Sequence, residues 1–274
     1  MLLLSAYLLI SHGSRDPRPQ LAMEKLAELV RDRLRTGLKQ GKHALSVQTN
    51  RYWKPPEANR ITASTWIRSS AEYPLVGTAT LELAEEPLHQ QIRQFSSVAL
   101  AAGCNHLQLL PLFLLPGVHV VEDIPQEVAL AQQEVGQAVV ISQRPHIGVH
   151  PGLGKLVATQ MATVNADVKI LLSHGSRRVG GNEPVEAVAK QLGAMAAYWS
   201  VKPTLEEQIE GLVRAGYKQI AILPYFLFSG GITDAIAQMV TELQQQFATV
   251  ELSLGEPIGA TDQLADLLVE LIAR

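Results

Sequence analysis

Residues 8–15 read Leu-Leu-Ile-Ser-His-Gly-Ser-Arg, and residues 170–177 read Ile-Leu-Leu-Ser-His-Gly-Ser-Arg. A second pair of matching stretches follows in the same order, because Leu-Pro-Leu-Phe-Leu at 110–114 is answered by Leu-Pro-Tyr-Phe-Leu at 223–227. Two matches in one order indicate an internal duplication. The chain is therefore predicted to hold two similar domains, 1–163 and 164–274.

Each half alternates short apolar runs with longer amphipathic runs, which is typical of βαβ units around a parallel sheet. Few charges interrupt the apolar runs, as expected for strands that are covered on both faces. The predicted fold class is α/β, with two tandem domains that are each a mainly four-stranded parallel sheet flanked by helices. The predicted strands are 4–11, 75–81, 107–111, 138–142, 168–173, 194–199, 219–223 and 249–254.

The first half is longer than the second. The spacing from His12 to Pro111 exceeds the spacing from His174 to Pro224 by about fifty residues. This predicts an insertion at about 36–73, which carries several basic and aromatic side chains: Arg51, Tyr52, Trp53, Lys54, Arg60, Trp66 and Arg68. Long insertions of this kind serve as functional loops or lids. A surface excursion without a role is the alternative reading.

Composition excludes several classes of protein. Apolar residues make up 47% of the chain and the net charge is −3, so we expect folded domains that bind neither nucleic acid nor an anionic membrane. No apolar run reaches the roughly 18 residues of a membrane-spanning helix. The chain has one cysteine, Cys104, which excludes an internal disulfide and fits a cytoplasmic location.

Three side chains that can bind a metal ion follow predicted strands of the first half. His12 follows the first strand, Glu82 the second and His119 the third. The carboxyl ends of parallel strands form the ligand-binding edge of such a sheet, so we expect these three side chains to converge. Two imidazoles and a carboxylate suit a first-row divalent ion and leave positions open for a substrate. The same groups can accept protons near neutral pH.

The second half keeps one member of this set, His174. Its alignment with the first half places Ile232 opposite His119 and Tyr198 opposite Glu82. The fold can therefore form without the second histidine and the carboxylate, which favours a functional role for both in the first half. The recurrent His-Gly-Ser-Arg stretch alone is also compatible with a turn motif.

Other motifs carry weaker signals. His146 and His150 are four residues apart, but prolines and glycines around them predict a loop rather than a metal-binding helix. The stretch 152–155 lacks the Ser or Thr of a phosphate-binding loop, and the chain has no Gly-x-Ser-x-Gly elbow. His89 and His106 are interpreted as surface residues. A two-lobed binding protein and a phosphoryl-transfer enzyme remain alternative classes.

The combined pattern resembles the sirohydrochlorin chelatase family, which includes the CbiX cobaltochelatases and SirB ferrochelatases. The resemblance is carried by His-Gly-Ser-Arg-Asp-Pro at 12–17, Leu-Glu-Leu-Ala at 81–84, Pro-Leu-Phe-Leu at 111–114, and the later residues Gly117, His119, Asp123, Ile124 and Pro125. It covers both halves outside the insertion. It implies the class II chelatase fold in its long, two-domain form, with the active cleft between the domains.

The resemblance also implies an activity, which is insertion of Fe²⁺ or Co²⁺ into sirohydrochlorin without ATP, in siroheme or cobalamin biosynthesis. His12, Glu82 and His119 are then the catalytic and metal-binding residues, and Ser14 and Arg15 contact substrate carboxylates. Sirohydrochlorin and the divalent metal (Fe²⁺, Co²⁺ or Ni²⁺) are the expected partners, with no further cofactor. The chain is expected to be a monomer in which the two halves are related by a pseudo-twofold. A carrier that binds tetrapyrrole or metal without catalysis is the alternative function.

Overall fold

A computed structural model describes residues 5–39, 74–162 and 166–273. The strands in these ranges are β1 (Ser5–Ser11), β2 (Val76–Thr80), β3 (His106–Pro111), β4 (Val140–Gln143), β5 (Val168–Ser173), β6 (Met195–Tyr198), β7 (Gln219–Pro224) and β8 (Glu251–Leu254). The helices are α1 (Pro17–Lys39), α2 (Leu88–Ala101), α3 (Ile124–Val135), α4 (Gly152–Ala162), α5 (Glu183–Gln191), α6 (Leu205–Arg214), α7 (Gly231–Gln246) and α8 (Asp262–Ala273). A π turn at His119–Asp123 precedes α3, and a 3₁₀ turn at Ile147–Val149 precedes α4.

The strands form two parallel sheets of the same design. The first has the order β2-β1-β3-β4, and the second has the order β6-β5-β7-β8. This arrangement confirms the predicted fold class of two similar four-stranded α/β units. The predicted insertion falls almost entirely on residues 40–73, which lie outside the described residues, while 36–39 complete α1. The predicted boundary near 163 likewise lies outside them and stays a prediction.

Alternate residues of the central strands enter different cores. Leu8 and Ile10 of β1 pack in a core built from the first half alone, whereas Tyr7 and Leu9 pack in a core that both halves share. In β5, Leu171 enters the shared core, and its neighbours on either side enter a core of the second half. Each central strand is therefore buried on both faces, which explains its continuous apolar sequence.

The last helix of each half packs against the other half. Helix α8 lies against α1, where Arg33 forms ion pairs with Asp262 at 2.8 Å and with Asp266 at 2.6 Å. Helix α4 in turn packs against α8 and donates a hydrogen bond from Gln160 to the carbonyl of Ile258 at 3.4 Å. The two halves are thus joined by the contacts of their last helices as well as by the shared core.

The prediction that His89 and His106 are surface residues is wrong. Only 19% of the His89 side chain is exposed, and its Nδ1 lies 2.9 Å from Glu127 Oε2. His106 lies between Ser5 Oγ at 3.0 Å and Ser142 Oγ at 2.8 Å, bridging neighbouring strands. Both side chains have structural partners that only the tertiary fold supplies.

His146 fixes the chain that follows β3. It is buried, and its Nδ1 donates a hydrogen bond of 2.8 Å to the carbonyl of Phe113. Burial lowers the pKa of His146, and the bond to Phe113 offsets this only in part. The ring is therefore neutral in the folded protein at pH 7, and it anchors the stretch that leads to His119.

Replacing His146 with leucine should lower the free energy of unfolding by about 1–3 kcal/mol at pH 7.5, because the Phe113 carbonyl loses its donor. The effect should shrink on acidification. The folded pKa lies below the unfolded value of about 6.5, so the wild type loses this contribution as pH falls below 6.5, while the variant has nothing to protonate there. Denaturant unfolding of both proteins between pH 7.5 and 5 measures this. A difference that stays constant or grows would contradict the assignment.

Candidate metal centre

The parallel pairing of β1 and β2 continues past the strands and positions His12 and Glu82. The Leu81 N–H donates to the Ser11 carbonyl at 2.9 Å, and the Glu82 N–H donates to the His12 carbonyl at 2.8 Å. Both residues therefore sit side by side at the carboxyl edge of the first sheet. This placement is the one expected of ligand-binding residues in an open parallel sheet.

Gly13 makes this close pairing possible. Its φ is +103°, a region that disfavours residues with a side chain. A Cβ at this position would lie 2.0 Å from the Glu82 carbonyl oxygen, well inside van der Waals contact. The glycine of the His-Gly-Ser-Arg motif is therefore required by the backbone of Glu82, which lies two elements later in the chain.

The π turn places His119 against His12. The Ile124 N–H donates to the His119 carbonyl five residues back, which is the hydrogen bond that defines a π turn. The ring centroids of His119 and His12 are 4.7 Å apart, and the rings meet edge to face at 87°. The ring centroid of Phe113 lies 6.2 Å from that of His119. His119 thus begins a helical turn after β3.

Together His12, Glu82 and His119 form a cluster of three side chains that could hold a metal ion. One ligand atom from each lies within 4.8 Å of the other two. His12 Nε2 and Glu82 Oε2 are 3.9 Å apart, and about half of each side chain is exposed. Ligand atoms bound to one first-row ion lie up to about 4.2 Å apart, so small rotations of these exposed side chains would complete the site. The exposure leaves room for a substrate.

Asp123 is a neighbour of this cluster whose role the sequence did not indicate. Its Oδ2 lies 2.7 Å from His119 Nδ1, and 33% of the His119 side chain and 40% of the Asp123 side chain are exposed. The four-residue spacing between them within a helical turn is the signal from which the contact was predictable. This contact occupies the Nδ1 atom of His119.

Ser14 and Arg15 lie at the edge of the cluster, and both are exposed. The Ser14 hydroxyl accepts a hydrogen bond of 3.0 Å from the Asp16 N–H, so it shapes the turn that leads from His12 into α1. Arg15 is the next residue in the chain, and its guanidinium is exposed. Their assignment to substrate carboxylates stays a prediction.

The carboxyl edges of the two sheets meet near this cluster. Arg18, at the start of α1, donates from Nε to Asp16 at 3.0 Å and from Nη1 to Asp234 of α7 at 3.0 Å. These hydrogen bonds lower the pKa of both carboxyl groups. The pKa of His174 is lowered by burial and, to a smaller degree, by the charge of His12 across the junction. The second half therefore borders the cluster.

The second half does not repeat the cluster among the described residues. The predicted counterpart of Glu82, Tyr198, is wrong by two positions. The Ser200 N–H donates to the His174 carbonyl at 3.0 Å, the bond that Glu82 makes to His12, so Ser200 is the structural equivalent. Tyr198 is buried instead, which raises the pKa of its phenol to about 12.

Ile232 lies at the place of His119, as predicted, since the Asp234-to-Gly230 backbone hydrogen bond matches that of Val121 to Gly117.

His146 and His150 do not join the cluster. His146 is bonded to the Phe113 carbonyl, as described above, and His150 Nε2 lies 3.2 Å from Glu270 Oε2 of α8. The latter pair links the two halves. Both histidines therefore have structural partners, and their four-residue spacing does not indicate a metal site.

Two tandem parallel α/β domains with one open His–His–Glu cluster define a protein of the two-domain chelatase class. The family model described as CbiX matches residues 55–164 and again residues 169–274. The chain belongs to the CbiX family, the sirohydrochlorin chelatase family that the sequence resembles. The two matches agree with the duplication.

Relatives and solved structures agree with this assignment. A sirohydrochlorin cobaltochelatase of Priestia megaterium is 25% identical over 212 residues, which span 72% of this chain and 68% of the relative. A sirohydrochlorin ferrochelatase of the same organism is 25% identical over 217 residues, which span 73% and 78%. SirB from Bacillus subtilis with Fe³⁺ has the same fold, with a TM-score of 0.68 at 21% identity over 99% of this chain and 95% of SirB.

The cobalt complex of the sirohydrochlorin chelatase SirB from Bacillus subtilis subspecies spizizenii has a TM-score of 0.65 at 19% identity, over 99% of this chain and 94% of that one. Within the part of the chain that the structure describes, no helix is both long and apolar enough to cross a bilayer.

Replacing Gly13 with alanine should lower the free energy of unfolding by about 3 kcal/mol or more, because backbone strain and a clash with the Glu82 carbonyl add together. Gly103→Ala is the matched control. Gly103 also has a positive φ, +82°, but an added Cβ there meets nothing within 4 Å. The control should therefore cost only about 1 kcal/mol. Denaturant unfolding compares the two, and equal losses would show that the contact with Glu82 is unimportant.

Proposed function

We propose that this protein inserts a divalent metal ion, Fe²⁺ or Co²⁺, into sirohydrochlorin. The observation that carries the proposal is the cluster of His12, Glu82 and His119, which lies open at the carboxyl edge of one sheet in a chain of the CbiX family. The relatives named above as a cobaltochelatase and a ferrochelatase support the same substrate. Their identity of 25% leaves the physiological metal, and the siroheme or cobalamin pathway, for experiment.

Insertion exchanges two protons for one metal ion, since the macrocycle releases both pyrrole N–H protons as the metal–nitrogen bonds form. The metal must also lose its water ligands. The imidazoles of His12 and His119 bind the incoming ion and accept protons, and the Glu82 carboxylate offsets the positive charge of the metal. The ligand atoms of the three residues lie within 4.8 Å of one another, so the groups that bind the metal and the groups that accept the pyrrole protons belong to one site.

The macrocycle is proposed to lie at the junction of the two halves. Its carboxylates match Arg15, which offers a planar fork of donors, and the exposed loop at Ser14. The contacts of Arg18 with Asp16 and Asp234 connect the two carboxyl edges beside the cluster. We propose that no cofactor beyond the metal substrate takes part, that the protein acts as a monomer in the cytoplasm, and that it binds no nucleic acid.

Insertion kinetics with purified sirohydrochlorin test the proposal. The macrocycle absorbance is followed without oxygen after addition of Fe²⁺, Co²⁺ or Ni²⁺, with and without ATP. The expected result is protein-dependent insertion of at least one metal that ATP leaves unchanged. Binding of sirohydrochlorin without any acceleration of insertion would identify the protein as a carrier instead.

Replacing His119 with alanine should reduce the insertion rate by about 10²–10⁴-fold, the range typical of lost proton-transfer groups. His174→Ala is the matched control, because it removes the corresponding histidine of the second copy and should keep most of the activity. Circular dichroism checks that both variants are folded. A folded His119→Ala variant with the wild-type rate would refute the site, and a full loss in folded His174→Ala would refute a one-sided centre.

A further inference from the structure

The turn that carries His119 contains one residue more than its counterpart in the second half. At the start of the turn, the backbone hydrogen bond from Val121 to Gly117 matches that from Asp234 to Gly230. After it, Ile124 and Ile236 occupy equivalent, fully buried core positions at the inner face of α3 and α7. Five residues, His119–Asp123, therefore replace the four residues 232–235.

The extra residue produces the π turn, and the second half shows what happens without it. There, Gly231–Gln246 is α-helical throughout, and it has isoleucine at the place of His119. The π turn absorbs the added residue without displacing Ile124 from the core. The added residue therefore leaves the packing of Ile124 in the core intact. Its effect is at the surface of the turn, where His119 Nδ1 and Asp123 Oδ2 lie 2.7 Å apart.

We propose that Asp123 is a positioning residue that holds His119 in the Nδ1–H form and presents Nε2 to the metal ion. The proposal rests on the proposed function, since it assigns a role within that same site. An imidazole has one N–H when neutral, and a carboxylate at Nδ1 fixes it there. The other nitrogen then keeps its lone pair for binding. Metal-bound histidines commonly depend on a carboxylate in this manner.

The contact also fixes the orientation of the ring. His119 meets His12 at 87°, so the orientation of the His119 ring decides which of its atoms face the cluster. The hydrogen bond to Asp123 restricts rotation of that ring. The duplication supports this pairing of roles, because the half without the histidine also has a shorter turn and a regular helix.

Two variants separate this role from a general effect of charge. Asp123→Ala removes the acceptor from His119. Glu122→Gln removes one negative charge from the neighbouring, exposed position of the same turn, and Glu122 makes no contact with the ring in the described structure. Both variants lose one unit of negative charge. Only the first loses the carboxylate that contacts Nδ1.

The first readout is the tautomer of His119, measured by ¹⁵N NMR of the full chain without metal or tetrapyrrole. The wild type and Glu122→Gln should show the Nδ1–H form, and Asp123→Ala should lose that preference. The second readout is titration with Co²⁺ alone. Asp123→Ala should weaken Co²⁺ binding about 10–100-fold, and Glu122→Gln should change it less than about 2-fold.

An unchanged tautomer in Asp123→Ala, or equal losses of Co²⁺ affinity in both variants, would overturn the proposal. Unfolding curves establish that both variants are folded before either readout is interpreted. Failure of the proposed function has a different signature. In that case the wild type would not accelerate metal insertion into sirohydrochlorin, while the tautomer and its dependence on Asp123 would be unaffected.

Discussion

The apolar core shared by the two halves is the interaction on which the other features depend. Tyr7 and Leu9 of the first sheet and Leu171 of the second enter one buried cluster, so each sheet completes its packing only against the other half. This burial brings the carboxyl edges of the two sheets together. The Arg18 contacts to Asp16 and Asp234 then form across that edge, and exposed ion pairs of this kind add little stability by themselves. Their position is a result of the shared core.

The site combines a general scaffold with a local departure from it. Both halves have the same strand order and the same histidine and glycine after the first strand. In the second half, Ser200 and Ile232 occupy the places of Glu82 and His119, and the helix that follows is regular. The two edges thus differ by two substitutions and one additional residue, and among the described residues only the first edge brings two histidines and a glutamate together.

Much of the fold was predictable because its signals are local and repeated. Apolar runs with few charges predict the eight strands with small errors at their ends, and the carboxyl ends of the predicted strands place His12, Glu82 and His119 at one edge. The differences depend on information that a single sequence lacks. The alignment of Glu82 with Tyr198 is two positions off because strand register depends on backbone hydrogen bonds between distant segments. The partners of His89 and His106 belong to other elements, so the sequence does not indicate them. The π turn is not apparent in the sequence because one added residue leaves helical periodicity nearly unchanged.

The contacts that the last helix of each half makes with the other half have a consequence for how such a chain originates. Helix α4 of the first half reaches the second half, and α8 of the second half reaches α1 of the first. Reciprocal contacts of this kind are those of a symmetric pair of identical subunits, in which each subunit gives its final helix to its partner. Joining two such subunits end to end preserves every contact and removes the dependence of assembly on concentration. It also frees each copy to change alone, so that one can lose its ligands while it continues to complete the other.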